Sequence, residues 1–240
     1  MLMRRGRLNV LGIGAHPDDL EISCGGTLAR YAELGHNVSM AYVTRGELGH
    51  YTIEPEELGK IRKREARSAA SVLGAKFIWM DLPDGMLFHN RENRLKFIDV
   101  IRETGANVII THDPTDYHPD HKIVNELVFA ASLLSTVPHI KTAHPPLKKV
   151  PVVYCMETYL GVSFNPEEYV DISRTIERKL RALSQHESQL RWLREHSGID
   201  IIESTRVISR FRGFQAGVNY AEGFRLSKRR SNISTRRLLP

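Results

Sequence analysis

Leu8-Asn9-Val10-Leu11-Gly12-Ile13-Gly14-Ala15-His16-Pro17-Asp18-Asp19-Leu20-Glu21 joins an apolar run directly to a cluster of His and Asp. Residues 8–14 read as a buried strand, and the polar residues begin where that strand ends. The same arrangement returns later: the apolar run 108–110 is followed by Asp116-Tyr117-His118-Pro119-Asp120-His121. Between them, strand-like and helix-like segments alternate. Residues 21–34 have helical apolar spacing and stop at Gly35; residues 37–44 read as a strand; residues 56–73 read as a helix closed by Gly74. A strand at 77–80, a Pro83-Asp84-Gly85 turn, a helix at 91–104, a strand at 108–111 and a helix from about 120 to about 134 continue the series.

Such alternation predicts a Rossmann-like, doubly wound, mainly parallel α/β sheet with helices on both faces. In a core of strand order 3-2-1-4-5, strands 1 and 4 are neighbours and the chain leaves them in opposite directions, so a crevice opens at their carboxyl ends. The topology therefore predicts that His16, Asp18 and Asp19 meet His118 and His121. Further on, residues 152–159 read as a strand, and 174–194 and 203–216 as helices. The stretch 138–151, rich in Pro, His and Lys, reads as an excursion.

Composition narrows the function. With 41% hydrophobic and 26% charged residues, the 240-residue chain fits one soluble α/β domain. No apolar run approaches the ~20 residues of a membrane span, and the basic opening 1–7 is not followed by a signal-peptide core, so a cytoplasmic location and no membrane partner are expected. Cys24 and Cys155 form no CxxC pair, so neither a disulfide framework nor a thiolate zinc site is indicated. The net charge of +6 is matched by six basic residues and no acid in 225–240. The expected layout is thus a near-neutral domain over 1–224 and a solvated basic tail over 225–240, an arrangement that argues against nucleic-acid binding.

Imidazole and carboxylate together suit a borderline divalent ion such as zinc, and a catalytic zinc site keeps a position open for water. Asp18 and Asp19 are adjacent, so one can bind a metal while the other faces the water. His118 and His121, three apart at a helix start, lie on neighbouring parts of one face. His-Pro-Asp-Asp by itself could be a turn with an N-cap carboxylate, and His-x-x-His by itself is weak. Their conjunction at two adjacent strand ends carries the metal hypothesis. Gly12-Ile13-Gly14-Ala15-His16-Pro17 has Pro where a dinucleotide fingerprint needs its third Gly, and no P-loop or GxSxG elbow is present. His112 follows strand 4 without a supporting motif. His36, His50, His89 and His196 are scattered and expected to be solvated.

The chain resembles the LmbE/PIG-L family of zinc-dependent N-acetylglucosaminyl deacetylases. The resemblance is carried by Ala15-His16-Pro17-Asp18-Asp19-Leu20-Glu21, Thr44-Arg45-Gly46-Glu47, Ile61-Arg62-Lys63-Arg64-Glu65-Ala66 and His118-Pro119-Asp120-His121, and runs nearly end to end. His186-Glu187-Ser188-Gln189 and Tyr220-Ala221-Glu222-Gly223-Phe224 resemble the branch that deacetylates N-acetylglucosaminyl malate in bacillithiol synthesis.

The resemblance implies that His16, Asp19 and His121 hold Zn2+, with another divalent ion such as Fe2+ also acceptable to such a ligand set. It implies that Asp18 is the general base towards the attacking water. His118, expected to be protonated, would stabilise the amide oxyanion, and Asp120 would orient it. Arg62 and Glu47 would bind substrate, although an Arg62–Glu65 pair and a loop-stabilising Glu47 are the plainer alternatives. The implied partner is a small N-acetylated amino sugar, and the implied assembly a homo-oligomer, trimer or hexamer. Another amide, such as an acetylated disaccharide or a thiol-sugar conjugate, is the alternative substrate. A metal-binding oligomer without catalysis is the rival, but neither Asp18 nor His118 is needed merely to hold zinc.

Overall fold

The computed structural model describes residues 6–228 and 238–240. Among the described residues seven strands form one sheet: β1 (Asn9–Gly14), β2 (Asn37–Thr44), β3 (Lys76–Leu82), β4 (Val108–Thr111), β5 (Val152–Met156), β6 (Glu168–Asp171) and β7 (Ala221–Leu226), in the order β3-β2-β1-β4-β5-β7-β6. The first five are parallel, and β1 pairs with β2 on one side and β4 on the other. The predicted 3-2-1-4-5 core is therefore present. What the residues did not announce is the antiparallel extension, in which β7 pairs with both β5 and β6.

Seven α-helices accompany the sheet among the described residues: α1 (Asp19–Glu33), α2 (Pro55–Leu73), α3 (Arg91–Thr104), α4 (Pro119–Leu134), α5 (Ile176–Leu183), α6 (Glu187–Ser197) and α7 (Ile201–Ala216). The central strands are apolar throughout because both faces are covered. One face buries Val10, Met40, Val108 and Ile110 against Leu28 of α1, Ala69 of α2 and Leu180 of α5. The other buries Leu11, Ile13, Val43 and Ile109 against Phe97 of α3 and Leu127 of α4. Because β1 and β4 are parallel neighbours, the loops that follow them open at one edge of the sheet.

The helix expected over 174–194 is two helices. The chain turns at 184–186, where His186 becomes fully buried with Nε2 3.2 Å from Glu21 Oε1. Helical spacing persists across the break, so periodicity misses it. The expected strand over 152–159 ends at Met156. The expected tail boundary also falls inside the sheet. Arg225 lies in β7, its Nε donating to Asp113 at 3.0 Å, and Leu239 is buried against the core. Residues 229–237, which include Arg229, Arg230, Arg236 and Arg237 of the expected tail, and residues 1–5 lie outside the described residues.

The excursion at 138–151 contains no helix or strand and is tied down by a buried arginine. Arg102 donates to the carbonyls of Ser135 (2.9 Å), Val137 (2.8 Å) and Ile140 (2.8 Å). On the opposite face, Glu222 of β7 accepts from the α1 backbone at Gly26 (2.9 Å) and Thr27 (2.7 Å) and from Lys179 Nζ (2.6 Å). A Cβ at Gly26 would meet the Ile172 side chain at 2.8 Å, so this approach needs glycine.

Candidate active site

Asp18 turns the chain from β1 into α1 with φ 111° and ψ −26°, a left-handed conformation uncommon outside glycine but most accessible to Asn and Asp. This turn separates the two adjacent carboxylates. Asp19 faces the histidines, whereas Asp18 lies against the Arg62 guanidinium, 3.5 Å away. Arg62 also donates to the carbonyls of Gly46 (2.7 Å) and Pro17 (3.1 Å), pinning the segment just before Asp18. Gly46 has φ 64°, and a Cβ there would overlap the guanidinium. The Thr-Arg-Gly-Glu motif therefore makes room for this arginine. The alternative Arg62–Glu65 pairing does not form: Glu65 accepts from Ser188 instead, at 2.8 Å from its N and 2.6 Å from its Oγ.

His16, Asp19 and His121 converge. His16 Nδ1 is 3.2 Å from His121 Nε2, His121 Nε2 is 3.3 Å from Asp19 Oδ1, and His16 Nδ1 is 3.4 Å from Asp19 Oδ2. Through one or other Asp19 oxygen these spacings lie near the ~3.3 Å between donors of a tetrahedrally held ion, and His118 also falls within such a cluster with His16 and His121. The far nitrogen of each ring meets carboxylate: His16 Nε2 lies 3.1 Å from Asp84 and 3.3 Å from Asp120, and His121 Nδ1 lies 3.1 Å from Asp116. Carboxylates behind imidazoles orient metal ligands and raise their basicity. Burial works against charge on Asp19, but the neighbouring His121 charge holds its carboxyl well below the usual range. Burial likewise opposes charge on His121, yet Asp19 and Asp116 raise it to about 9.

His112 also approaches Asp19 (3.2 Å) and stacks on His121, and the donor atoms of Asp19, His112 and His121 lie close enough to share an ion. Its partners set it apart from His16 and His121. Nε2 accepts the Ala15 backbone N–H at 2.8 Å, so that lone pair is occupied, and burial with the His121 charge pushes the ring down to about 4. His112 is thus a neutral strut tying the end of β4 to the end of β1.

His118 caps α4, its Nδ1 accepting the Asp120 backbone N–H at 3.2 Å. A ring that accepts at Nδ1 carries its neutral-state proton at Nε2, which makes Nε2–H a donor without any net charge. Burial, then the charges of His16 and His121, lower its pKa. The Asp120 carboxylate does not orient His118; its Oδ2 reaches His16 and the Gly85 backbone N–H (2.8 Å). Glu47 lies outside the cavity lining: it accepts from Asp84 N (3.2 Å) and Arg45 (3.0 Å), holding the loop that delivers Asp84.

A cavity of about 310 Å³ opens over this cluster. His16, Asp18, Asp19, Arg62, His118 and His121 all line it, so the sequence-predicted residues meet as the topology required, with Asp120 behind and Glu47 beyond. His112, Asp84 and Asp116 are the participants the residue pattern did not assign. Each follows a strand at the same sheet edge, and that position was the available signal. Burial, moderated by Arg62, pushes Asp18 up to about 6. Of the histidines expected to be solvated, His50 and His196 pack around Trp192, with ring centroids 4.7 and 4.2 Å away.

A parallel α/β sheet carrying a carboxylate-backed imidazole centre at its switch point defines the class of protein. A family model described as PIG-L, GlcNAc-PI de-N-acetylase, matches residues 11–132, and the chain belongs to that family of deacetylases. It is 31% identical over 227 residues to diacetylchitobiose deacetylase of Thermococcus kodakarensis, spanning 90% of this chain and 82% of that one. It is 29% identical to probable N-acetyl-alpha-D-glucosaminyl L-malate deacetylase 2 of Bacillus cereus, spanning 75% and 83%. The solved structure of N,N'-diacetylchitobiose deacetylase from Pyrococcus horikoshii with its inhibitor matches with a TM-score of 0.79 at 29% identity, covering 90% and 82%.

Proposed function

We propose that this chain is a metal-dependent hydrolase that removes the N-acetyl group from a GlcNAc-containing small molecule. The observation that carries this is the paired arrangement of carboxylates: Asp84, Asp120 and Asp116 behind the two imidazoles, and Asp18 beside the centre but turned away from its donor atoms. His16, Asp19 and His121 would hold the ion, zinc or another divalent metal such as Fe2+. When bound, that ion supplies Lewis-acid polarisation of the amide and a water acidified towards a pKa of about 7.

The remaining chemistry belongs to the chain. Asp18, raised to about 6, is poised to take a proton from the attacking water near neutral pH. His118 Nε2–H donates to the acetyl oxygen as negative charge develops there, a contribution typically worth about 100- to 1000-fold. As the carbon–nitrogen bond breaks, the proton held by Asp18 can pass to the amine nitrogen, leaving acetate and the free amino sugar. Arg62 holds the Asp18 turn in place. The test is acetate release from N-acetylglucosaminides by metal-loaded and chelated protein. Release requiring the metal supports the proposal; no release by metal-loaded protein from any of them refutes it.

A further inference from the structure

We infer that the group attached to the substrate's N-acetylglucosamine is uncharged, and that this cavity disfavours conjugates whose aglycone is an anion. The inference rests on the deacetylase proposal above and narrows its substrate class. Besides the histidines and carboxylates, the cavity is lined by Ile22, Leu193, Ile199 and Ile201, with Ser23 and Gln189 as neutral polar groups. Among the described residues lining the cavity, Arg62 is the only Lys or Arg. It is 3% exposed, and its terminal nitrogens are already engaged by Gly46 O, Pro17 O and Asp18. Gripping a substrate carboxylate would mean leaving two buried carbonyls bare, which is costly.

Asp18, Asp19, Asp84 and Asp116 all line the same cavity, so even a divalent ion together with Arg62 leaves no surplus positive charge for another anion. Tyr117, 69% exposed, and Tyr159 present aromatic surface at the same cavity, suited to the apolar C–H face of a pyranose or to an apolar aglycone.

The two late motifs that resemble the malate-conjugate branch do not read the aglycone in this fold. His186 is buried against Glu21, Ser188 binds Glu65, and Glu222 is locked to Lys179 and the α1 backbone. Of these motif residues only Gln189 reaches the cavity, and it carries no charge. Those motifs build the scaffold, and the cavity wall sets the preference.

The experiment compares kcat/KM for acetate release by the metal-loaded full chain on N-acetylglucosaminyl malate, diacetylchitobiose and phenyl N-acetylglucosaminide. Both neutral substrates should exceed the malate conjugate by roughly tenfold or more. The better of the two tells whether a second sugar or an apolar group is the natural occupant. Leu193→Lys, checked for an unchanged melting temperature, should shift the malate-to-neutral ratio by about tenfold towards malate. A malate conjugate hydrolysed as well as the neutral pair overturns the inference, as does a well-folded Leu193→Lys variant with an unchanged ratio. Acetate release from none of the three would instead remove the deacetylase proposal itself.

Discussion

Replacing Asp18 by Asn should abolish turnover and stabilise the protein at once. The side chain keeps its shape, and Asn tolerates the left-handed backbone at φ 111° better than most residues. Asp18 is not among the converging donor atoms of His16, Asp19 and His121, so metal content should be retained. Turnover should fall by about 100- to 10,000-fold, the usual contribution of a general base.

Stability should move the other way. Burial outweighs Arg62 and pushes the folded carboxyl up to about 6, above the ordinary aspartate range. The native state therefore holds its proton where the unfolded state has released it, and stability falls as pH rises from about 4 to about 6. Above that window the buried carboxylate costs on the order of 2–3 kcal/mol, a cost that Asn does not carry. Urea unfolding of chelated wild-type and Asp18→Asn protein at about pH 7, together with acetate release by the metal-loaded forms, measures both halves. A variant less stable than wild type at that pH would show that Asp18 is not strained by burial, and turnover within tenfold of wild type would show that it is not the base.

Removing the metal with a chelator should abolish acetate release and restoring Zn2+ should recover it, while His121→Ala should lower bound zinc measured by mass spectrometry; full zinc occupancy in that variant would contradict the ligand assignment. Burial opposes a charge on His186, but Glu21 and then Asp18 raise its pKa above the ordinary value. That contribution to stability is complete below about 6.5 and is lost as pH climbs through the raised folded value. The gap in melting temperature between wild type and His186→Gln should therefore shrink as pH rises above about 6.5, and a pH-independent gap would mean that the ring is neutral throughout. Arg102→Met should destabilise the fold by about 3 kcal/mol, because the carbonyls of Ser135, Val137 and Ile140 lose a buried charged donor. Urea unfolding reads this directly, and a loss below about 1 kcal/mol would show that the excursion finds other partners.

Much of the site was legible because its residues obey a topological rule that needs only order along the chain. Two polar clusters, each closing an apolar strand, must meet if strands 1 and 4 are neighbours, and His16 and His121 do. The antiparallel β6 and β7 were not legible. β6 is four residues long, and β7, Ala-Glu-Gly-Phe-Arg-Leu, carries its Glu inward to Lys179 and α1, so neither shows the apolar signature of the central strands. The break before α6 was hidden for a related reason: what ends the helix is a buried contact to Glu21, far away in sequence.

From the chain of residues alone came the parallel core, the crevice, the three converging donors and the separate Asp18, because strand order, the His/Asp pattern and adjacent carboxylates are local or topological facts. The roles within the site were decided in three dimensions. Whether His112 is a ligand or a strut depends on the Ala15 N–H that occupies its lone pair. Whether Arg62 greets a substrate or braces a turn depends on which oxygens surround it, and whether His118 needs a charge depends on the backbone donor at its Nδ1. A side chain's chemistry is completed by its partners, and those partners lie on other segments that only folding brings within hydrogen-bonding distance.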